Sequence, residues 1–323
     1  MAAVSFPDLL MTASLAFVFP GQGSQSLGML ADLAATDASV RASFDEASEG
    51  AGLDLWALSQ DGPEAQLNQT EFTQPALLAA SVAAWRLWLA RGGARPSALA
   101  GHSLGEYSAL VAAGALSLRD AARLVRLRGQ FMQDAMPAGS GAMAAVLGAE
   151  DAVVETACAD AATFGVVVPA NYNSPGQIVI GGQTAAVDQA IALLAERGVR
   201  KAVKLAVSVP SHTPLMREAA ERLASAIAGL DWRLPAIPVV QNVDAAVHGS
   251  VEAIAGALVR QLYRPVQWTR CVQALAAGGA RTHIECGPGK VLGGLARRID
   301  KGIETRALGN AADFAAALAE WLA

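Results

Sequence analysis

Residues 98–110 read Ala-Leu-Ala-Gly-His-Ser-Leu-Gly-Glu-Tyr-Ser-Ala-Leu and leave the backbone little freedom. The apolar run Ala98–Ala100 suits a short strand, Gly101 to Gly105 form a Gly-x-Ser-x-Gly turn, and the residues beyond suit a helix. A nucleophile elbow requires that order. On such a turn the Ser103 hydroxyl projects outward, while Gly101 and Gly105 leave room for a strained backbone and close packing. The Leu104 amide then points to where an oxyanion would form, and the positive end of the new helix reaches the same spot. A tight Gly-Ser turn without chemistry is the alternative, and the flanking strand and helix favour the catalytic reading.

Strands and helices alternate on both sides of the turn. Leu15–Phe19 reads as a buried first strand that runs into Pro20-Gly21-Gln22-Gly23-Ser24-Gln25, with a helix near Met29. Leu78, Val82, Trp85 and Leu89 recur at helical spacing between Gln74 and Gly92, which marks a core-facing helix. Ser117 to Asp120 have the form of a capping box that opens a helix to about Ala135. The pattern then changes: strand 142–147, helix 151–161, strands 165–170 and 177–181, helix 185–196, strand 201–208. This β-α-β-β-α-β order is that of a split βαβ, ferredoxin-like unit. A helix follows Pro214, then a strand at Pro238–Gln241, helices at Val251–Leu262 and Arg270–Ala277, a strand at Arg281–Glu285 and a last helix after Gly287-Pro288-Gly289-Lys290. The expected fold is α/β: a doubly wound, mainly parallel sheet from residues 1–138 and 209–323, with residues 139–208 inserted as a ferredoxin-like subdomain.

Several function classes are disfavoured. With 53% hydrophobic and 16% charged residues in 323, the chain buries a sizeable core. Its net charge of -5 gives no general attraction to nucleic acid or anionic membranes. Cys158, Cys271 and Cys286 are odd in number and lack C-x-x-C spacing, so no disulfide framework or zinc site is suggested and a reducing cytoplasm fits. Leu9–Pro20 is apolar, yet the first basic residue is Arg41, so a signal peptide is not expected; apolar runs elsewhere are too short to span a membrane. Met11 is an alternative start that would make Met1–Leu10 an extension. Ser26 occupies the third glycine position of a dinucleotide fingerprint, and Val291 and Ile284 break a P-loop reading around Gly289-Lys290.

A serine nucleophile needs a base, and four histidines are available. His102 adjoins Ser103 on a tight turn, so its ring should point away; His283 lies in an expected strand, and His248 in a polar loop. His212 sits at the exit from the insert, where a loop can reach the elbow, and is preferred over a solvent-facing loop role. No Asp or Glu near it completes a hydrolase-like triad. On the capping-box helix, Arg119, Arg123, Arg126, Gln130 and Gln133 share one face, whereas Arg128 falls with Ala121, Leu124, Val125, Phe131 and Met132. An arginine on an apolar face must find a carboxylate or several acceptors. From the helix alone, an internal ion pair competes with a ligand-binding role.

The chain resembles the malonyl-CoA:acyl carrier protein transacylases of type II fatty acid synthesis from about Met11 onward. The resemblance rests on Phe19 to Gln25, Gly101 to Ser108, Arg126-Leu127-Arg128-Gly129, Asn171 to Gln177, Val207 to His212, Arg260-Gln261-Leu262-Tyr263 and Gly287 to Lys290, in that order and spacing. It implies an α/β-hydrolase-like core, Ser103 as nucleophile and His212 as base, with the imidazole oriented by the Gln261 backbone carbonyl. It further implies an oxyanion hole from the amides of Gln22 and Leu104, and Arg128 as clamp for the malonyl carboxylate. Malonyl-CoA and acyl carrier protein would be the partners, without nucleic acid, membrane, metal or bound cofactor. An acidic carrier would dock on Arg197, Arg200, Lys201 and Lys204, or on Lys290, Arg297, Arg298 and Lys301, unless these are simply solvated faces. A free-standing polyketide acyltransferase, a serine thioesterase or esterase and a non-enzymatic scaffold are the alternatives.

Overall fold

The computed structural model describes residues 14–137, 139–207 and 209–322. Met1–Leu10, Met11 and the boundary residues 138 and 208 lie outside the described residues. The first part of the chain runs β1 (Leu15–Phe19), α1 (Ala31–Thr36), α2 (Ala38–Ala51), α3 (Leu55–Asp61), α4 (Glu64–Leu67), α5 (Thr70–Ala90), β2 (Ala98–Gly101), α6 (Gly105–Ala112) and α7 (Leu118–Asp134). Then come β3 (Gly141–Leu147), α8 (Asp151–Ala161), β4 (Val167–Ser174), β5 (Gln177–Gln183), α9 (Thr184–Glu196) and β6 (Lys201–Lys204). The last part holds α10 (Arg217–Ala228), β7 (Val239–Val240), α11 (Val251–Tyr263), α12 (Trp268–Ala277), β8 (Thr282–Glu285), α13 (Val291–Ile299), β9 (Glu304–Ala307) and α14 (Ala311–Glu320).

Five strands form one sheet in the order β7-β2-β1-β8-β9, and every pairing in it is parallel, so the expected mainly parallel sheet is wholly so among the described residues. The five apolar residues of β1 are all buried because both faces are covered. Leu15, Phe17 and Phe19 enter the larger core with α2, α5, α6, α7, α10 and α11, while Ala16 and Val18 meet α12 and α13 on the other face. Helices on both faces make the sheet doubly wound. The carboxyl ends of β7, β2 and β1 lie side by side, and the loops leaving them carry Asn242, Ser103 and Gln22.

The second sheet, ordered β4-β5-β3-β6, is antiparallel throughout, with α8 and α9 packed on one face through Val154, Cys158, Val187 and Leu194. Its β3-α8-β4-β5-α9-β6 sequence matches the ferredoxin-like pattern read from the chain. Two strand ends differ from expectation. β4 starts at Val167 and continues to Ser174, because polar Asn171 and Tyr172 find ladder partners in β5 despite two register shifts. β6 ends at Lys204 rather than 208, the chain leaving the ladder toward Pro210 and His212. β4 is joined to the linker before α12 and to α12 itself: Val266 donates to Ala170 O and accepts from Tyr172 N, both at 2.9 Å, and Thr269 Oγ1 donates to Tyr172 O at 3.1 Å.

Candidate active site

The site begins with a backbone the sequence had to permit. Ser103 has φ of 51°, in the left-handed region that a side chain rarely occupies. A Cβ on Gly101 would collide with the Gly105 carbonyl, and one on Gly105 with Phe19 O, so neither position admits another residue without a shift. Asn242 fixes the turn from the next strand: its Nδ2 donates to Gly101 O and its Oδ1 accepts from Ser103 N, both at 2.7 Å. Helix α6 opens at Gly105 and directs its positive end to the same place.

His212 also has a positive φ, 63°, and is 3% exposed. Its Nε2 lies 2.7 Å from Ser103 Oγ and its Nδ1 2.6 Å from the Gln261 backbone carbonyl. A carbonyl can only accept, so Nδ1 carries the proton and Nε2 presents a lone pair to the serine hydroxyl. Burial, reinforced by the nearby Arg128 charge, pushes His212 down to about 3, which keeps the ring neutral at neutral pH. His102 turns away from the hydroxyl: its Nε2 meets Asn173 Oδ1 at 2.8 Å. His283 is buried in β8 and His248 pairs with Asp244.

Arg128 is 1% exposed and meets no carboxylate among the described residues. The internal ion pair weighed above is therefore absent. Instead its Nη1 donates to Gln74 Oε1 at 2.7 Å, and one Nη2 donates to Gln261 Oε1 at 2.9 Å and to Ser103 Oγ at 3.3 Å. Its Nε has no acceptor among the described residues, and the guanidinium lies 5.5 Å from the centre of the Tyr107 ring. A buried cation satisfied only by neutral oxygens, beside a serine hydroxyl, is a place for an anionic ligand group.

Gln22 and Leu104 flank the elbow from β1 and from the turn itself, and neither backbone amide donates a hydrogen bond among the described residues. The Gln22 side chain is anchored on Thr70 Oγ1 at 3.3 Å. The arrangement gathers a neutral base, a hydroxyl, two open amides and a cation around the elbow, the equipment for acyl transfer from a substrate with a remote negative charge.

Sequence reasoning missed Gln74, Asn242 and Glu106. Gln74 follows Thr73 and Asn242 follows Gln241, short polar pairs with no motif around them, and only the fold brings them to the elbow. Glu106 did carry a signal: it is the one charged residue on α6, as Arg128 is a base on the buried face of α7. Its side chain is fully buried and accepts from Gln241 Nε2, Asn242 N and Gln261 Nε2. Burial pushes its carboxyl up to about 7 against these three donors, which pull it down.

Residues 16–309 match the acyl transferase domain family. The malonyl CoA-acyl carrier protein transacylase of Escherichia coli K12 is 54% identical over 303 residues, which cover 94% of this chain and 98% of that protein. The crystal structure of malonyl-CoA:acyl carrier protein transacylase from Xanthomonas oryzae pv. oryzae superposes with a TM-score of 0.96 at 71% identity, covering 96% of this chain and 99% of that one. A malonyl-transacylase solved in complex with its type II PKS acyl-carrier protein gives 0.93 at 51% identity, covering 95% and 99%. With the fold, the elbow and these relatives in agreement, the chain belongs to the acyl transferase domain family and, within it, to the malonyl CoA-acyl carrier protein transacylases.

Proposed function

We propose that this protein moves the malonyl group from malonyl-CoA to the phosphopantetheine thiol of acyl carrier protein, as a step of fatty acid biosynthesis in the cytoplasm. The observation that carries the reading is Arg128: a buried guanidinium without a carboxylate partner among the described residues, 3.3 Å from Ser103 Oγ. Ser103 is the nucleophile. Its proton passes to His212 Nε2 as Oγ attacks the thioester carbonyl, and the amides of Gln22 and Leu104 receive the oxyanion. Collapse breaks the C–S bond, CoA leaves as its thiol with the proton from His212, and malonyl-Ser103 remains. The carrier thiol then repeats the sequence in reverse, giving its proton to His212 and returning Ser103 to the hydroxyl form. Ping-pong kinetics follow. The Gln261 carbonyl holds the His212 tautomer throughout. Arg128 pairs with the distal malonyl carboxylate by two charge-assisted hydrogen bonds, an arrangement a lysine cannot reproduce. No step requires a cofactor.

The division of labour proposed above assigns this chemistry to residues 1–138 and 209–323, with residues 139–208 as an inserted subdomain. The two separate sheets support that division. The likeness to a malonyl-transacylase solved with its type II PKS acyl-carrier protein favours a polyketide carrier as a second acceptor. Rates with a fatty acid and a polyketide carrier, compared side by side, decide which is preferred.

The test is the intact mass of the wild type beside Ser103→Ala after brief mixing with malonyl-CoA and no carrier. A malonyl adduct on the wild type alone is expected. Free malonate without an adduct would identify a hydrolase, and intact substrate would remove malonyl-CoA as the donor.

A further inference from the structure

Glu106 touches neither Ser103 Oγ, His212 nor Arg128, yet its position joins all three. Its Oε2 accepts from Gln261 Nε2 at 3.0 Å and from Asn242 N at 2.8 Å, and its Oε1 accepts from Gln241 Nε2 at 3.0 Å. Gln261 Nε2 donates also to Ser103 O at 3.0 Å, so both protons of that amide face oxygens. This settles which way the amide points. Turned over, its oxygen would face a carboxylate and a carbonyl, and its N–H2 would face the guanidinium. In the orientation found, Gln261 Oε1 accepts from Arg128 Nη2 at 2.9 Å. Gln74 holds the other terminal nitrogen, so the two glutamine oxygens fix the plane and the aim of the guanidinium.

We propose that Glu106 is a positioning residue for malonyl selectivity: through the Gln261 side chain it sets the orientation in which Arg128 awaits the substrate carboxylate. The proposal rests on the malonyl reading above. It assigns Gln261 two separate duties, since the backbone carbonyl orients His212 while the side chain carries the influence of Glu106 to Arg128.

Two substitutions separate orientation from simple structural support. Glu106→Ala removes the acceptor that holds the Gln261 amide. Glu106→Gln keeps one oxygen where Oε2 accepts from Gln261 and Asn242, and its new N–H2 meets Gln241. Gln241 Oε1 is buried without a partner among the described residues, and Gln241 Nε2 also donates to Ile254 O at 3.3 Å, so turning Gln241 over to accept that N–H2 gives up only this longer bond, on the side of Glu106 away from Gln261. The experiment measures rates of Ser103 acylation by malonyl-CoA and by acetyl-CoA, by intact mass, for the wild type and both variants. Glu106→Ala is expected to lower the malonyl-to-acetyl ratio by about tenfold or more, the scale of a lost charge-assisted contact. Glu106→Gln is expected to stay within about threefold of the wild type, as its retained acceptor implies. In an Arg128→Ala background, Glu106→Ala should lower the ratio no further, because the residue it acts through is gone. Equal loss of both acylations in Glu106→Ala, a Glu106→Gln ratio as low as that of Glu106→Ala, or additive losses with Arg128→Ala would each overturn the proposal. Should Glu106→Ala not fold, Gln261→Met breaks the same link while keeping the main-chain carbonyl for His212: the ratio must fall, and an unchanged ratio overturns the proposal. A wild type that takes no malonyl group refutes the malonyl reading, whereas a selective wild type with an equally selective Glu106→Ala refutes only the role of Glu106.

Discussion

At the scale of single residues, the distinguishing feature is a cation with no anion. Arg128 is held by the side-chain oxygens of Gln74, Gln261 and Ser103, so its charge is solvated by the protein but not neutralised. Arg128→Ala should lower malonyl acylation by at least about a hundredfold, the scale of removing one partner from a buried charge pair, while acetyl acylation changes far less. Acylation rates with the two thioesters check this, and an unchanged ratio would remove Arg128 from the recognition of the carboxylate. The same scale shows what a sequence displays and what it hides. Ser103 is legible because its turn chemistry is local, and Arg128 because a base on an apolar helix face violates the helical pattern. Asn242 is invisible, since 139 residues separate it from the amide it fixes. The orienting role of the Gln261 carbonyl comes from the family resemblance, because any residue has a carbonyl.

At the scale of elements, the elbow depends on β1, β2 and α6 approaching almost to backbone contact. Gly105→Ala would drive a methyl group into Phe19 O on β1, backbone that has no rotamer to change. A cost of about 3 kcal/mol or more is expected from overpacking that cannot relax, seen as a lower midpoint in denaturant. Ser108→Ala, on the same helix and with a hydroxyl that has no partner among the described residues, should leave that midpoint nearly unchanged. Elements with strong apolar periodicity or a cap were readable: α7 runs from its Ser117 cap to Asp134, close to the expected end at Ala135. β9 passed unnoticed because Glu-Thr-Arg-Ala at the sheet edge carries no apolar run, and α2 because its buried stripe is built largely from small residues such as Ser43, Ala47 and Ala51. Polar Asn171, Asn173 and Ser174 hid the second half of β4, where backbone pairing rather than apolar burial makes the strand.

At the scale of the whole molecule, buried titrating groups set the response to acid. His102, His212 and His283 are held neutral by burial, with His212 pushed down to about 3 and His283 to about 4, whereas the unfolded chain takes up their protons near pH 6.5. Each histidine therefore withdraws up to about 1.4 kcal/mol of stability per pH unit as the pH falls below 6.5. Glu106 and Glu285, raised by burial, act in the opposite sense, since the folded protein binds their protons first. Over this range the losses at His212 and His283 together exceed the gain at Glu106, so the melting temperature should fall between pH 7 and pH 5, and His283→Leu should lessen that fall. Equal melting temperatures for the wild type at the two pH values would contradict this balance. Charge also governs docking. With a net charge of -5 the molecule repels an acidic carrier at long range, and a local basic patch must draw it in. In the two clusters, Arg197, Lys204 and Lys290 are paired with Asp160, Asp188 and Asp313, while Arg200, Lys201, Arg297 and Lys301 form no ion pair among the described residues. kcat/KM for the carrier should fall as ionic strength rises, and a flat profile would mean that neither cluster steers it. The backbone seam between β4 and Val266 has a bearing on redesign. Main-chain hydrogen bonds tie β4 to the linker between α11 and α12, and Gln267 N in that linker donates to Asn242 O beside the elbow, so making room there for a bulkier acyl group by moving the backbone would have to break that tie. An engineer seeking longer or branched extender units has to carve the lining side chains and leave the stitching intact.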